Sequence, residues 1–129
     1  MRAQSSGKMT VKKCRLPVPS ETETTKAILE LLAIHKIFAW RANTGGAAYP
    51  DGKGGFRHVR YGFGGVADLI GIMPLSHGLA PGRFLAIEVK YPGKRPTADQ
   101  QAFLDAVNAH GGIGFVATSV EEVKEKLGL

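Results

Sequence analysis

Short apolar runs alternate with glycine- and proline-rich segments along this chain, and their spacing predicts the order of elements. Ser20, with Glu23 three residues on, has a capping-box pattern that starts a helix ending near His35. The pattern then predicts strands at 37–42, 56–61, 66–73, 83–91 and 113–117, with helices from Thr97 to the glycines at 111–112 and from Ser119 to residue 127. This order predicts an α/β fold, a mixed β-sheet flanked by α-helices.

Glycine dominates the segment 43–55, which carries a proline and little apolar content. Such a composition is typical of a turn-rich connection rather than a regular element. We therefore expect a mobile or ligand-facing loop there.

Three charged residues interrupt two of the most apolar strands. Asp68 lies in GGVADLIGIM, and Glu88 and Lys90 lie in FLAIEVKYPG. Because side chains alternate along a strand, Glu88 and Lys90 share one face while their apolar neighbours point to the other. Charges in such a setting reduce stability unless they are paired or used. An ion pair on a solvated face would account for Glu88 and Lys90, and Asp68 could close a turn, but the ordered set favours a functional site.

This set of residues suits a hard divalent cation. Mg²⁺ prefers oxygen ligands, keeps several waters and needs only one or two carboxylates, which Asp68 and Glu88 would supply. The carbonyl of Val89 is a plausible third ligand. A bound metal acidifies water and neutralises phosphate charge, so Lys90 beside that water could orient the nucleophile of phosphodiester hydrolysis.

Two further polar residues have alternative interpretations. Glu23 could hold a metal-bound water, and the capping box accounts for it without any catalysis. Gln100 sits three residues after Thr97 in the same kind of box, and it could equally contact the nucleophilic water or a phosphate. Glu21 and Gln101 are the neighbouring alternatives.

The charge balance favours a polyanionic partner. The chain has 17 Lys and Arg against 11 Asp and Glu, a net charge of +6, although plain solubility would also account for it. Candidate phosphate contacts, each of which could also be a solvated rim residue, are Arg41, Lys53, Arg57, Arg60, Lys94 and Arg95.

The sequence gives little indication of a cysteine-based metal site, a membrane span or a signal peptide. The single cysteine, Cys14, excludes an intramolecular disulfide and a cysteine-based zinc site. No apolar run reaches membrane-spanning length, and no apolar segment follows the basic start. We expect a flexible basic tail at 1–19, one domain at 20–129, no membrane association and a cytoplasmic location, in a bacterial or phage-infected cell.

In chain order, five stretches resemble the VRR-NUC (virus-type replication-repair nuclease) domain of the PD-(D/E)XK nuclease superfamily, in its small stand-alone form. They are ETTKAIL at 23–29, RANTG at 41–45, GVAD at 65–68, IEVK at 87–90 and TADQ at 97–100. The resemblance covers roughly residues 20 to 117. It implies a restriction-endonuclease-like core, Asp68 and Glu88 as metal ligands, Lys90 as the catalytic lysine and Gln100 as the helix glutamine. It also implies that Glu23 is an active-site acid, and it places Arg41 and Asn43 at the DNA or near the site.

The resemblance also implies a function. We expect a Mg²⁺- or Mn²⁺-dependent DNA endonuclease that acts on branched replication or recombination intermediates such as four-way junctions, works as a homodimer and is related to phage. Two symmetric sites would suit the cutting of two strands. The alternatives are a non-catalytic DNA-binding module with the same fold, and the nuclease part of a restriction or tRNA-directed system.

Overall fold

The computed structural model describes residues 16–42, 45–60, 62, 64–74 and 81–129, and only the main chain of Arg60. These residues form three helices and six strands. In chain order they are α1 (Glu21–Ile34), β1 (Phe38–Arg41), β2 (Gly46–Pro50), β3 (Phe56–Arg60), β4 (Leu69–Met73), β5 (Arg83–Val89), α2 (Ala98–Ala109), β6 (Ile113–Ala117) and α3 (Val120–Leu127).

The central sheet has four strands in the order β1–β4–β5–β6. The β1–β4 and β4–β5 pairs are antiparallel, whereas β5 and β6 are parallel and are joined through α2. The sheet is therefore mixed, as the sequence predicts, with β5 as an interior strand. A parallel pair needs a crossover, and α2 supplies it.

Helices cover both faces of the sheet. Apolar residues of α1 and α3, such as Ile28, Leu32 and Val123, pack with the Leu85, Ile87 and Val89 face of β5. On the opposite face Leu104 of α2 packs with Ala86. The result is an α/β/α arrangement, which confirms the predicted fold class, and it buries β5 on both sides. A charged residue in the buried part of β5, residues 85–89, therefore loses most of its hydration.

Each helix begins at a residue that caps it. The Ser20 and Thr97 side chains accept hydrogen bonds from the main-chain N–H groups of Glu23 and Gln100, and both complete capping boxes. Ser119 caps α3 in the same way, and Gly128 ends it in the left-handed conformation. None of the helices in the described part of the chain has the length and apolar character needed to cross a lipid bilayer.

The prediction of a loop at 43–55 was wrong for much of that segment. Residues 46–50 form β2, which pairs antiparallel with β3 in a separate two-stranded sheet, named here the β2–β3 ribbon. The turn between the strands is built by Asp51, whose Oδ1 accepts hydrogen bonds from Lys53 N at 2.7 Å and Gly55 N at 3.0 Å. Gly52 and Gly54 take positive φ values in this turn. Asn43 and most of the predicted tail lie outside the described residues.

Candidate active site

Asp68 is fixed where β4 and β5 separate. The pairing of the two strands reaches Leu69 and Ile87, and Asp68 is the next residue towards the open end. Its side chain continues the ladder, because Oδ2 accepts a hydrogen bond from Val89 N at 2.8 Å. On the other side its carbonyl accepts one from Ala42 N at 2.8 Å. The carboxylate is thus held against the end of β5.

Glu88 is a buried acid. Only 2% of it is exposed, because it lies on the face of β5 that α2 covers. Its Oε1 lies 3.3 Å from Lys90 Nζ, whereas its Oε2 is buried without a hydrogen-bond partner among the described residues. An unsatisfied buried carboxylate oxygen reduces stability, and its presence in a native site indicates a use or an unseen ligand.

The environment of Glu88 favours its neutral form. Burial raises the pKa of Glu88 from its ordinary 4.5 to about 7, and the nearby charge of Asp68 acts in the same direction. The positive charge and hydrogen bond of Lys90 lower the pKa, as does the nearby main chain of Asp68. Since desolvation outweighs the lysine, the carboxyl would gain from a further positive charge.

Lys90 lies at the mouth of the same site. Its side chain is 15% exposed, so the amine is partly open to solvent while its carboxylate partner is not. Its main-chain N–H donates to the Ala117 carbonyl at 3.0 Å, which ties the end of β5 to β6. Strand alternation thus brings Glu88 and Lys90 to one face, as predicted.

The oxygen atoms here fit a hard divalent cation. Glu88 Oε2 has no hydrogen-bond partner among the described residues, and Asp68 uses only one of its two carboxylate oxygens, Oδ2, for the bond from Val89 N. The predicted third ligand, the Val89 carbonyl, belongs to the residue whose N–H donates to Asp68 Oδ2. No His, Cys, Asp or Glu completes a cluster of three within the described residues. Mg²⁺ with several waters needs no third carboxylate.

Glu23 and Gln100 are both engaged in their capping boxes. Glu23 is exposed, and its Oε2 accepts a hydrogen bond from Ser20 N at 2.9 Å. Gln100 is half-buried, and its Oε1 accepts from Thr97 N at 2.9 Å, which leaves the amide nitrogen for another contact. The catalytic assignments of these two residues stay predictions.

The first turn of α1 reaches the end of β5 through a different acid. Glu21 Oε1 accepts a hydrogen bond from Tyr91 N at 3.0 Å, directly after Lys90. Glu21, Glu23, Tyr91 and Lys94 line one cleft of about 650 Å³. Glu21, which the sequence offered only as an alternative to Glu23, is therefore the α1 acid that bonds to the β5 terminus.

The predicted phosphate contacts fall into three groups. Arg41 is exposed at the end of β1, and Lys94 and Arg95 are exposed after β5. The β2–β3 ribbon carries Lys53 in its turn and exposed Arg57 on β3, and its last residue is Arg60. A separate apolar groove of about 540 Å³ lies along α2, lined by residues such as Phe84, and none of Asp68, Glu88 and Lys90 lines it.

Comparison with known protein families identifies the family of this chain. The model of the VRR-NUC domain family matches residues 6–121 of the 129-residue chain. Neither the curated proteins nor the solved structures include a significant match. The matched region contains the whole strand pair that carries Asp68, Glu88 and Lys90. The chain belongs to the VRR-NUC nuclease family.

Proposed function

We propose that this protein is a metal-dependent DNA endonuclease whose active site is formed by Asp68, Glu88 and Lys90. The observation that carries the proposal is the buried Glu88 carboxylate, which has one oxygen beside Lys90 and the other without a hydrogen-bond partner in the described part of the chain. A structural ion pair would satisfy both oxygens more cheaply on the surface. A divalent cation would supply the missing positive charge.

Each residue has a distinct role in this proposal. Asp68 and Glu88 hold Mg²⁺ or Mn²⁺, with the Val89 carbonyl as a further ligand. The cation, when bound, acidifies water and offsets the charge that develops on the phosphate. Lys90 orients the attacking water, because its amine is both partly exposed and held next to Glu88. Gln100 Nε2 and Glu23 are positioning groups at the starts of the two flanking helices.

The proposed substrate is DNA with a branch, such as a four-way junction. The net charge of +6 and the exposed Arg41, Lys94 and Arg95 support a polyanion. The branch preference and the homodimer rest on the family resemblance alone. Sedimentation of the protein with and without a junction would measure the dimer directly.

The test is cleavage of labelled four-way junction, flap, single-stranded and duplex DNA in Mg²⁺, Mn²⁺ and EDTA. We expect metal-dependent cutting by the wild type and none by Lys90→Ala. Lys26→Ala, which removes an exposed lysine on α1, is the matched control and should cut normally. Salt-sensitive binding without cutting on any substrate would instead favour a non-catalytic DNA-binding module.

A further inference from the structure

The β2–β3 ribbon is a feature that the cleavage chemistry leaves unexplained. Its two strands pair with each other and not with the four-stranded sheet. An isolated two-stranded hairpin is marginal in water. Phe56 at its end is nevertheless 68% exposed. A surface of this kind is more readily explained by a partner than by the fold of the chain.

A short segment of chain connects the ribbon to the candidate active site. Ala42, which follows β1, donates its N–H to the Asp68 carbonyl, and β2 begins at Gly46. Four residues of chain span at most about 14 Å, so Gly46 lies no farther than that from Ala42. The other strand leads back through Gly65 to Asp68. A molecule bound along the ribbon therefore lies within reach of the site.

The ribbon has a net positive charge, and its single acidic side chain, that of Asp51, already accepts hydrogen bonds from the turn. Residues 45–60 contain Lys53, Arg57 and Arg60, with Asp51 as the single carboxylate. Asp51 Oδ1 accepts two main-chain hydrogen bonds in the turn, so its carboxylate stabilises the conformation of the turn. This leaves a positively charged projection that complements phosphate.

The dimensions of the ribbon suit a groove. Five-residue strands at ~3.4 Å per residue give a length of roughly 17 Å, and paired strands lie ~4.8 Å apart. Gly46, Ala47 and Ala48 keep the first half of β2 thin. The major groove of B-DNA is about 12 Å wide and admits a two-stranded ribbon, whereas the minor groove, about 6 Å wide, must first be widened at a cost in free energy.

Both faces of the ribbon carry groups that can donate hydrogen bonds. Tyr49 and Arg57 are partners on one face, and Ala48 and His58 are partners on the other. Arg57 and His58 are both exposed, so groups that can donate hydrogen bonds leave the ribbon in both directions. A ribbon between two phosphate backbones needs donors on both sides.

We propose that the β2–β3 ribbon enters the major groove of duplex DNA next to the cleaved phosphate, with Lys53 and Arg57 contacting the backbone. This inference rests on the proposed action on DNA. It assigns duplex arms, rather than single strands, as the part of the substrate that the ribbon holds. The turn at Asp51 shapes the ribbon before binding, which reduces the entropy cost of docking.

The test is fluorescence polarisation of a labelled duplex in EDTA, where no cutting occurs. Lys53→Ala/Arg57→Ala should bind about tenfold or more weakly and lower the slope of log K against log salt by about 2. Lys124→Ala/Lys126→Ala, which removes the same charge from exposed positions on α3, should stay within about threefold of wild type. Equal effects of the two double variants would overturn the inference.

A second measurement identifies the groove and the partner. A duplex whose major groove is filled by glucosylated hydroxymethylcytosine should bind poorly to the wild type, and netropsin in the minor groove should leave binding unchanged. The reverse pattern would overturn the proposal. So would a change of sedimenting mass in Phe56→Ser without a change in DNA affinity, because the ribbon would then bind a second copy. Loss of cleavage in Lys90→Ala, together with normal binding by the ribbon variants, would refute the ribbon proposal alone. Normal ribbon-dependent binding without metal-dependent cutting would refute the nuclease alone.

Discussion

Replacing Glu88 with glutamine should stabilise the metal-free protein at alkaline pH. The pKa of Glu88 is raised from 4.5 to about 7 in the folded state by burial and by Asp68. The native state therefore holds the Glu88 proton more tightly than the unfolded chain does. Stability from this group is fully present below pH 4.5 and is lost as pH rises through about 7. At ~1.4 kcal/mol per tenfold change, the ionised carboxylate costs about 3 kcal/mol above that pH.

The assay is urea unfolding in EDTA at pH 5 and pH 8. Between these pH values the wild type should lose about 2 to 3 kcal/mol more stability than Glu88→Gln, whose amide does not ionise. Glu30→Gln makes the same chemical change on an exposed position of α1, and its pH dependence should follow the wild type. Parallel pH profiles for wild type and Glu88→Gln would refute the reasoning, since they would mean that Glu88 titrates normally.

Three further predictions concern the frame and the metal. Asp68→Ala leaves the Val89 N–H without its acceptor and should lower the free energy of unfolding by about 1 to 3 kcal/mol, whereas Asp68→Asn should lose less; equal losses in urea would contradict this. Gly65→Ala should lower the free energy of unfolding by more than about 2 kcal/mol, because φ at Gly65 is +82° and a Cβ there would lie 2.5 Å from the α2 main chain. Its control, Gly64→Ala, places the new methyl group in open space and should change the free energy of unfolding by less than about 0.5 kcal/mol. In the urea assay, Mg²⁺ at ~100 times its Kd should stabilise the wild type by about 2.7 kcal/mol and leave Glu88→Gln unchanged; equal stabilisation of both would show that the ion binds elsewhere.

Local signals were sufficient for the helices and for the strand pair of the site. Ser20 and Thr97 each start a helix through a capping box that is written in four consecutive residues. The alternation of β5 placed Glu88 and Lys90 together because that geometry is a property of any strand. Asp68 lies beside them because β4 pairs with β5 in the register observed.

Features that depend on distant packing were missed. The small residues of β2 show no alternation of apolar and polar positions, so its strand conformation is set by pairing with β3 rather than by its own sequence. The periodicity of the sequence also does not show that α2 covers the Glu88 face of β5. The burial that raises the pKa of Glu88 could therefore not be predicted. Glu21 became the α1 residue bonded to Tyr91 only because of how α1 docks on the sheet.

The interior position of β5 has a consequence during protein synthesis. Glu88 and Lys90 are translated well before β6, yet the main chain of Lys90 is fixed by the carbonyl of Ala117 and β5 is flanked by β6. At ~5–20 residues per second, the ribosome takes a few seconds to pass from one to the other. Throughout that interval all three proposed catalytic residues have been synthesised, while the strand that completes their sheet has not. A chain released before residue 117 would therefore hold the three proposed catalytic residues without the β6 carbonyl that fixes the main chain of Lys90.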